Sequence, residues 1–167
     1  MRITSFAIDL PADWYGRDSA VPDELRPALE EAWELDGLAR TDSLLTAFWV
    51  TFPGTLRGQL QVFDAEVDGV SPRKLVRLTR RSPVDGVLLE RDVREIAVPA
   101  GPAVVDARLV GEPDGLVTFT LDVTVLPPRS ESALVLSVST PDPHLADPLA
   151  DHAWALAAGL TIEQDAG

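Results

Sequence analysis

Residues 116–126 read LVTFTLDVTVL, a regular alternation of apolar and polar residues. Alternate residues of a β-strand point to opposite faces of a sheet, so this segment predicts a strand with one apolar and one polar face. The apolar face consists of Val117, Phe119, Leu121, Val123 and Val125. The polar face consists of Thr118, Thr120, Asp122 and Thr124. We expect the apolar face to be buried under a helix.

The segment that follows predicts the neighbouring strand. A polar loop at 127–132 leads into residues 133–139, where Leu134, Leu136 and Val138 recur at every second position. A short polar connection between two alternating segments favours antiparallel pairing. The sequence therefore predicts that 116–126 and 133–139 are adjacent antiparallel strands.

The same criteria, applied outward from this pair, predict the remaining elements of the chain. Alternation or continuous apolar runs predict strands at 3–10, 44–52, 59–67, 87–98 and 103–110. Helical spacing, first-turn prolines and terminal glycines predict helices at 22–35, at 72–80 and from 147 to 159. For 72–80 a strand is the alternative. Long strands joined by short turns favour a single α+β domain over 1–167, an antiparallel β-sheet flanked by helices.

The ends of the chain carry a resemblance to a known fold. A Val-Pro-Ala-Gly turn at 98–101 is followed by two strands, a proline-containing loop and the segment LVLSVSTPDP at 134–143, which leads into the closing helix. The first strand runs into Leu-Pro-Ala-Asp-Trp at 10–14. This order resembles the Mog1/PsbP-like family, whose fold is an α/β/α sandwich. The resemblance implies binding without chemistry, and no residue here matches a Ran-binding surface or a thylakoid targeting segment.

The charge balance limits the classes of partner. The formal net charge is -13, from 27 acidic and 14 basic residues. Such a chain repels phosphate backbones and attracts basic protein surfaces, so we expect a protein partner and no nucleic acid. No run of apolar residues is long enough to span a membrane, and the first residues alternate instead of forming a signal peptide. The sequence therefore predicts a cytoplasmic protein.

Catalytic and metal-binding patterns are weak. His144 and His152 are the only histidines, and they share the start of the last helix with several aspartates. Their spacing suits neither a metal site nor a base beside a nucleophile, whereas aspartates at a helix start are typical caps. There is no cysteine, nucleophile elbow or phosphate-binding glycine loop. The sequence predicts a non-catalytic binding or accessory protein without cofactor or metal; a small-ligand-binding domain and a carboxylate/histidine hydrolase are the alternatives.

Basic residues cluster in one segment. Seven of the 14 basic residues fall between 73 and 94. On a helix over 72–80, one stripe would contain Arg73, Arg77, Arg80 and Arg81. The stripe is a candidate site for an acidic partner. The interpretation that the sequence favours is a solvated face that pairs with the protein's own carboxylates.

Trp14 and Tyr15 form the second candidate partner site. They fall in a predicted turn, where large aromatic residues are less common than in strands and helices. Aromatic side chains dominate the anchors of protein interfaces, so Trp14 is the first candidate for such an anchor. Burial in the core is the alternative.

Overall fold

The computed structural model describes residues 1–39 and 42–165. The strands are β1 (Ile3–Ala7), β2 (Trp14–Gly16), β3 (Leu45–Thr51), β4 (Thr55–Glu66), β5 (Val87–Val98), β6 (Gly101–Gly111), β7 (Val117–Val125), β8 (Ser132–Thr140) and β9 (Thr161–Gln164). The helices are α1 (Arg26–Ala39), α2 (Pro72–Arg81) and α3 (Ala146–Ala158), and a short 3-10 helix, Pro143–Leu145, precedes α3.

Seven strands form one sheet in the order β2-β3-β4-β8-β7-β6-β5. Every neighbouring pair in it is antiparallel. β1 and β9 form a separate two-stranded ribbon. The predicted α+β class with an antiparallel sheet flanked by helices is confirmed, and so is the pairing of 116–126 with 133–139, in which Leu121 lies opposite Val138.

Helix α3 covers one face of the sheet. The main core cluster contains the inner side of α3 together with residues of both strands: Leu121, Val123 and Val125 of β7 and Leu134, Leu136 and Val138 of β8. Leu149 and Leu156 of α3 are fully buried there, as are Val123 and Val138 of the sheet. The predicted burial of the apolar face of β7 under a helix is therefore confirmed for Leu121, Val123 and Val125, whereas Phe119 is half-buried against the cluster and Val117 is half-buried outside it.

Helices α1 and α2 lie on the opposite face, at its two ends. α1 buries Leu29 and Ala32 against Phe48 and Val50 of β3. α2 contacts β5 and β6. Because the two helices stand at opposite ends of the strand order, the polar side of β7 and β8 lies in the interval between them. One face of the sheet is thus covered by the apolar side of α3. The other face is covered only at its two ends, and its middle is accessible to solvent.

The predicted helix at 22–35 begins and ends too early. Residues 23–25 form turns, with the Leu25 amide donating to the Pro22 carbonyl at 3.0 Å, and the helix starts at Arg26. Pro27, not Pro22, is therefore the first-turn proline. Gly37 does not end the helix, since α1 continues to Ala39. Gly37 lies on the exposed side of α1 with open space around it.

The N-terminal region also differs from its prediction. The first strand ends at Ala7 and pairs with β9, which the sequence did not predict. The predicted turn at Trp14 is strand β2, which extends the main sheet by pairing with β3. Both differences arise from partners far away in the chain, which local alternation does not reveal.

Candidate functional site

Helix α2 forms as its sequence predicts. The Ser71 hydroxyl caps the helix by accepting from the Lys74 amide at 3.4 Å, and Pro72 occupies the first turn. Leu75 and Val76 are half-buried, while no residue of α2 is fully buried. The helix therefore presents most of its surface to solvent, and the strand alternative for 72–80 is wrong.

The basic side chains of α2 point outward. Five exposed cations belong to this helix: Arg73, Lys74, Arg77, Arg80 and Arg81. Within residues 1–39 and 42–165, none of these five forms an ion pair. The favoured interpretation, pairing with the protein's own carboxylates, is therefore wrong for this helix. Four of the five, Arg73, Lys74, Arg77 and Arg81, also make no side-chain hydrogen bond to the described residues; we call these four the basic surface of α2.

The other three cations of the segment have partners. Arg80 donates to the Val93 carbonyl at 2.8 Å and so fastens α2 to β5. Arg94 lies 3.5 Å from Asp92 and 5.9 Å from the ring centre of Trp154. Arg91 is a largely buried structural residue. The seven basic residues between 73 and 94 look equivalent in the sequence. In the structure, three of them contact other parts of the protein and four have side chains free to contact another molecule.

Arg91 belongs to a chain of charges on the polar side of the sheet. Its guanidinium donates to both carboxylate oxygens of Asp106, at 2.9 and 2.8 Å, and to the Ser82 carbonyl at 3.0 Å. Arg108 bridges Asp106 at 3.0 Å and Asp122 at 2.6 Å. The hydrogen bond from Arg91 to Asp106 raises the pKa of Arg91 above its ordinary value. Because Ser82 directly follows α2, this network also holds the end of the helix on the sheet.

The network forms part of the floor of a cleft on the open face. This sheet cleft has a volume of about 520 Å³ and lies between the end of α2 and the polar side of β7. Thr118, Thr120 and Thr124 line it, and their hydroxyls have no partner among the described residues. Sequence reasoning missed Asp106 and Arg108 as members of this site, although two charges within the otherwise apolar strand β6 are the signal that could have identified it.

A second cleft lies between α2 and β5. It has a volume of about 580 Å³ and is open to solvent. Its walls are formed by Arg73, Val76, Arg77, Arg80, Arg94 and Glu95. The structure therefore brings together three of the four predicted arginines at one cleft, whereas Arg81 is exposed elsewhere on the helix. We call this the arginine cleft.

Trp14 is not the surface anchor that its predicted turn suggested. Its side chain is 3% exposed, in the core between Trp49 and His152. The indole N–H donates to Nδ1 of His152 at 2.9 Å. Tyr15 is half-buried against the α1 cluster. Strand β2 aims Trp14 inward because it pairs with β3, whose Trp49 lies directly opposite.

The histidines occupy different environments. His152 is half-buried, as expected, and burial lowers its pKa despite the opposing charges of Asp151 and Asp13. His144 is exposed in the 3-10 helix, and its amide donates to the Asp142 carboxylate, which caps that short helix. The expected aspartate cap of the last helix is not formed, because Leu145 precedes α3 and no side chain caps it. In the described part of the chain, no group of three or more histidine and carboxylate residues is arranged to hold a metal ion.

Comparisons with known proteins support the fold. No family model and no curated protein matches the sequence. Among solved structures, the chain is similar to LpqN of Mycobacterium tuberculosis, a protein involved in cell envelope biogenesis, with a TM-score of 0.64 and 11% identity. The match covers 96% of this chain and 84% of LpqN. At this identity the likeness concerns the fold alone. None of the described helices is long and apolar enough to cross a membrane.

Proposed function

We propose that this protein is a non-catalytic binding domain whose partner is a protein with an acidic surface, bound on the basic surface of α2. The observation that carries the proposal is the set of cations on α2 that form no ion pair with the described residues, in a chain whose net charge is -13. Five basic side chains elsewhere in the described chain form ion pairs, namely those of Arg2, Arg26, Arg91, Arg94 and Arg108. What distinguishes α2 is that five cations without an ion pair to the described residues lie together on one exposed helix, which leaves a positive surface available to another molecule.

The distribution of charge favours a specific partner over any polyanion. The acidic body repels extended anions such as duplex DNA, while the basic surface attracts a carboxylate-rich patch of limited size. The two opposite fields also orient an approaching protein before contact. The hydrogen bonds from Arg80 and Arg91 hold α2 in place before the partner arrives. Binding therefore carries no entropic cost for ordering this helix.

We further propose that the fold belongs to the Mog1/PsbP-like group. The antiparallel sheet, with α3 on one face and α1 and α2 on the other, supports this assignment. The resemblance to that group favours binding over catalysis.

Affinity capture from the native cell tests the proposed surface. The baits are the wild type, the variant Arg73→Glu/Arg77→Glu, and the control Arg2→Glu/Arg26→Glu, which changes the net charge equally at exposed residues outside α2. We expect a protein retained by the wild type and the control to be lost from the α2 variant. Its association should slow as the Debye length falls from about 30 Å at 0.01 M salt to about 8 Å at 0.15 M. Equal retention by all three baits would contradict the proposal.

The proposal keeps the cytoplasmic location predicted from the sequence. Fractionation of the native cell, followed by detection with an antibody against this chain, measures it directly. We expect the chain in the soluble fraction with cytoplasmic markers, and its recovery with the envelope would contradict this part of the proposal.

The sheet cleft favours a second candidate function, the binding of a small polar ligand. The supporting observation is the row of threonine hydroxyls without partners beside the charged floor. A thermal-shift screen of small polar metabolites tests it, with Thr120→Val as the variant that removes one hydroxyl at nearly constant volume. A ligand that stabilises the wild type and not the variant would support this function, whereas a screen without any stabilising compound would count against it.

A further inference from the structure

Strand β5 is one of the two outer strands of the seven-stranded sheet, and β2 is the other. It pairs with β6 along one edge from Val87 to Val98, and no other described strand pairs with its opposite edge. An outer strand has backbone N–H and C=O groups that can accept an additional strand. β5 therefore has the backbone chemistry of a docking site for an extended segment, apart from the Val93 carbonyl, which already accepts from Arg80 at 2.8 Å.

Two features of opposite character lie along this edge. At its beginning, Val87, Leu88 and Leu89 are 66%, 45% and 56% exposed. Further along, Arg94 and Glu95 form one wall of the arginine cleft. Arg94 follows Leu88 by six positions, a span of about 20 Å at roughly 3.3 Å per residue. An extended segment of similar length would contact both features at once.

We propose that β5 accepts an extended segment of the acidic partner as an added antiparallel strand. The segment carries Asp and Glu residues beside the arginine cleft and apolar residues beside Leu88 and Leu89. The occupant is argued from charge, because four of the six residues that line this cleft are arginines. Backbone hydrogen bonds supply affinity in this mode of recognition, and side-chain pockets supply specificity. This inference rests on the proposed function and deepens it by naming the form of the partner.

The same edge disfavours a second copy of this chain. Two copies paired through β5 would place their α2 helices on the same face of the joined sheet, with their unpaired cations towards each other. An acidic segment meets no such charge repulsion at the cleft.

Synthetic peptides test the added strand. The probe is fluorescein-labelled Asp-Glu-Asp-Glu-Thr-Val-Thr-Val, whose direction matches antiparallel pairing with β5. Its matched control has the same sequence with alternate backbone amides N-methylated on the pairing edge, which removes hydrogen-bond donors without changing charge. Fluorescence anisotropy with the wild-type protein should show affinity at least about tenfold lower for the methylated peptide. Leu88→Gln/Leu89→Gln, at two exposed positions, should weaken the unmodified peptide by about threefold or more.

The outcomes separate the two proposals. If Arg73→Glu/Arg77→Glu abolishes peptide binding while N-methylation has no effect, the added strand is overturned and the acidic-partner surface stands. If N-methylation abolishes binding while the arginine variant has no effect, the role of the basic surface is overturned and strand addition stands. Failure of the unmodified peptide to bind the wild type would overturn the added strand. Tighter binding of a duplex DNA or of anionic vesicles would overturn the assignment of a protein partner.

Discussion

Helices α2 and α3 lie on opposite faces of one sheet and are attached to it by different forces. α3 buries Leu149, Ala153, Leu156 and Ala157. α2 has no fully buried residue, and its polar attachments are the hydrogen bonds of Arg80 to β5 and of Arg91 to the residue after the helix. Apolar burial holds α3 through the close packing of its inner side against the sheet. Directional bonds fix α2 while leaving its charged side chains free to contact another molecule.

The largest effect should come from the charge network that supports α2. Replacement of Asp106 by Ala leaves the guanidinium of Arg91 in a low-exposure site without its carboxylate, and breaking a buried pair in this way costs about 3–5 kcal/mol of unfolding free energy. Urea denaturation measures the loss. Asp92→Ala, which removes a carboxylate that is 60% exposed, is the control and should change stability by less than about 1 kcal/mol. Similar losses of unfolding free energy in Asp106→Ala and Asp92→Ala would show that the buried network stabilises the fold no more than an exposed ion pair does.

The corresponding test of α3 removes apolar volume. Leu156 of α3 is fully buried, so Leu156→Ala leaves a cavity between α3 and the sheet. We expect this to lower the unfolding free energy by about 2–5 kcal/mol. Because this contribution is apolar, it should persist at about 1 M salt, where the Debye length is about 3 Å. Denaturation of Leu156→Ala at low and high salt checks this. A strong dependence of its effect on salt would contradict the contrast between the two helices.

The hydrogen bond from Trp14 to His152 should have an intermediate effect. His152→Ala leaves a buried indole N–H without its acceptor, which costs about 1–3 kcal/mol. Because burial lowers the pKa of His152, its stabilising contribution is present above the ordinary value of 6.5 and is lost as pH falls through the lower folded-state value. Stability measured from neutral pH down to about pH 5 should therefore fall more steeply in the wild type than in His152→Gln. Equal slopes would refute this assignment.

The smallest effect should come from the basic surface itself. Arg77 is exposed and has no ion pair among the described residues, so Arg77→Glu should change the unfolding free energy by less than about 0.5 kcal/mol. Thermal denaturation beside the wild type measures this. A destabilisation comparable to that of Asp106→Ala would mean that Arg77 stabilises the fold and is not a free side chain available to a partner.

The elements that the sequence predicts correctly are those with a strong local signal. Alternation over 116–126 identified β7 and its buried face, and the Ser71-Pro72 pair identified the start of α2. Trp14 lacked such a signal, since its burial depends on pairing between β2 and β3. Pro22 misplaced the start of α1 because Pro27 offers the same signal five positions later, and only tertiary packing chooses between them.

The candidate site was predictable in part for a similar reason. Helical spacing placed Arg73, Arg77 and Arg80 on one side of α2, and the structure brings them to one cleft. Arg91 has the same chemistry in the sequence but is a structural residue, because β6 places Asp106 beside it. Which arginine is free and which is an anchor depends on strand register, and composition contains no information about register.

The ribbon of β1 and β9 has a consequence for how the chain folds. Arg2 and Asp165, which are hydrogen-bonded beside this ribbon, are 163 positions apart in the sequence. If this loop closed before other contacts formed, the chain would lose conformational entropy and gain only the few hydrogen bonds of the ribbon. This entropic cost grows slowly with loop length. The hairpins β5–β6 and β6–β7 can form early because their partners are neighbours. We therefore expect the ribbon to form late in folding, after the sheet has brought the two segments together.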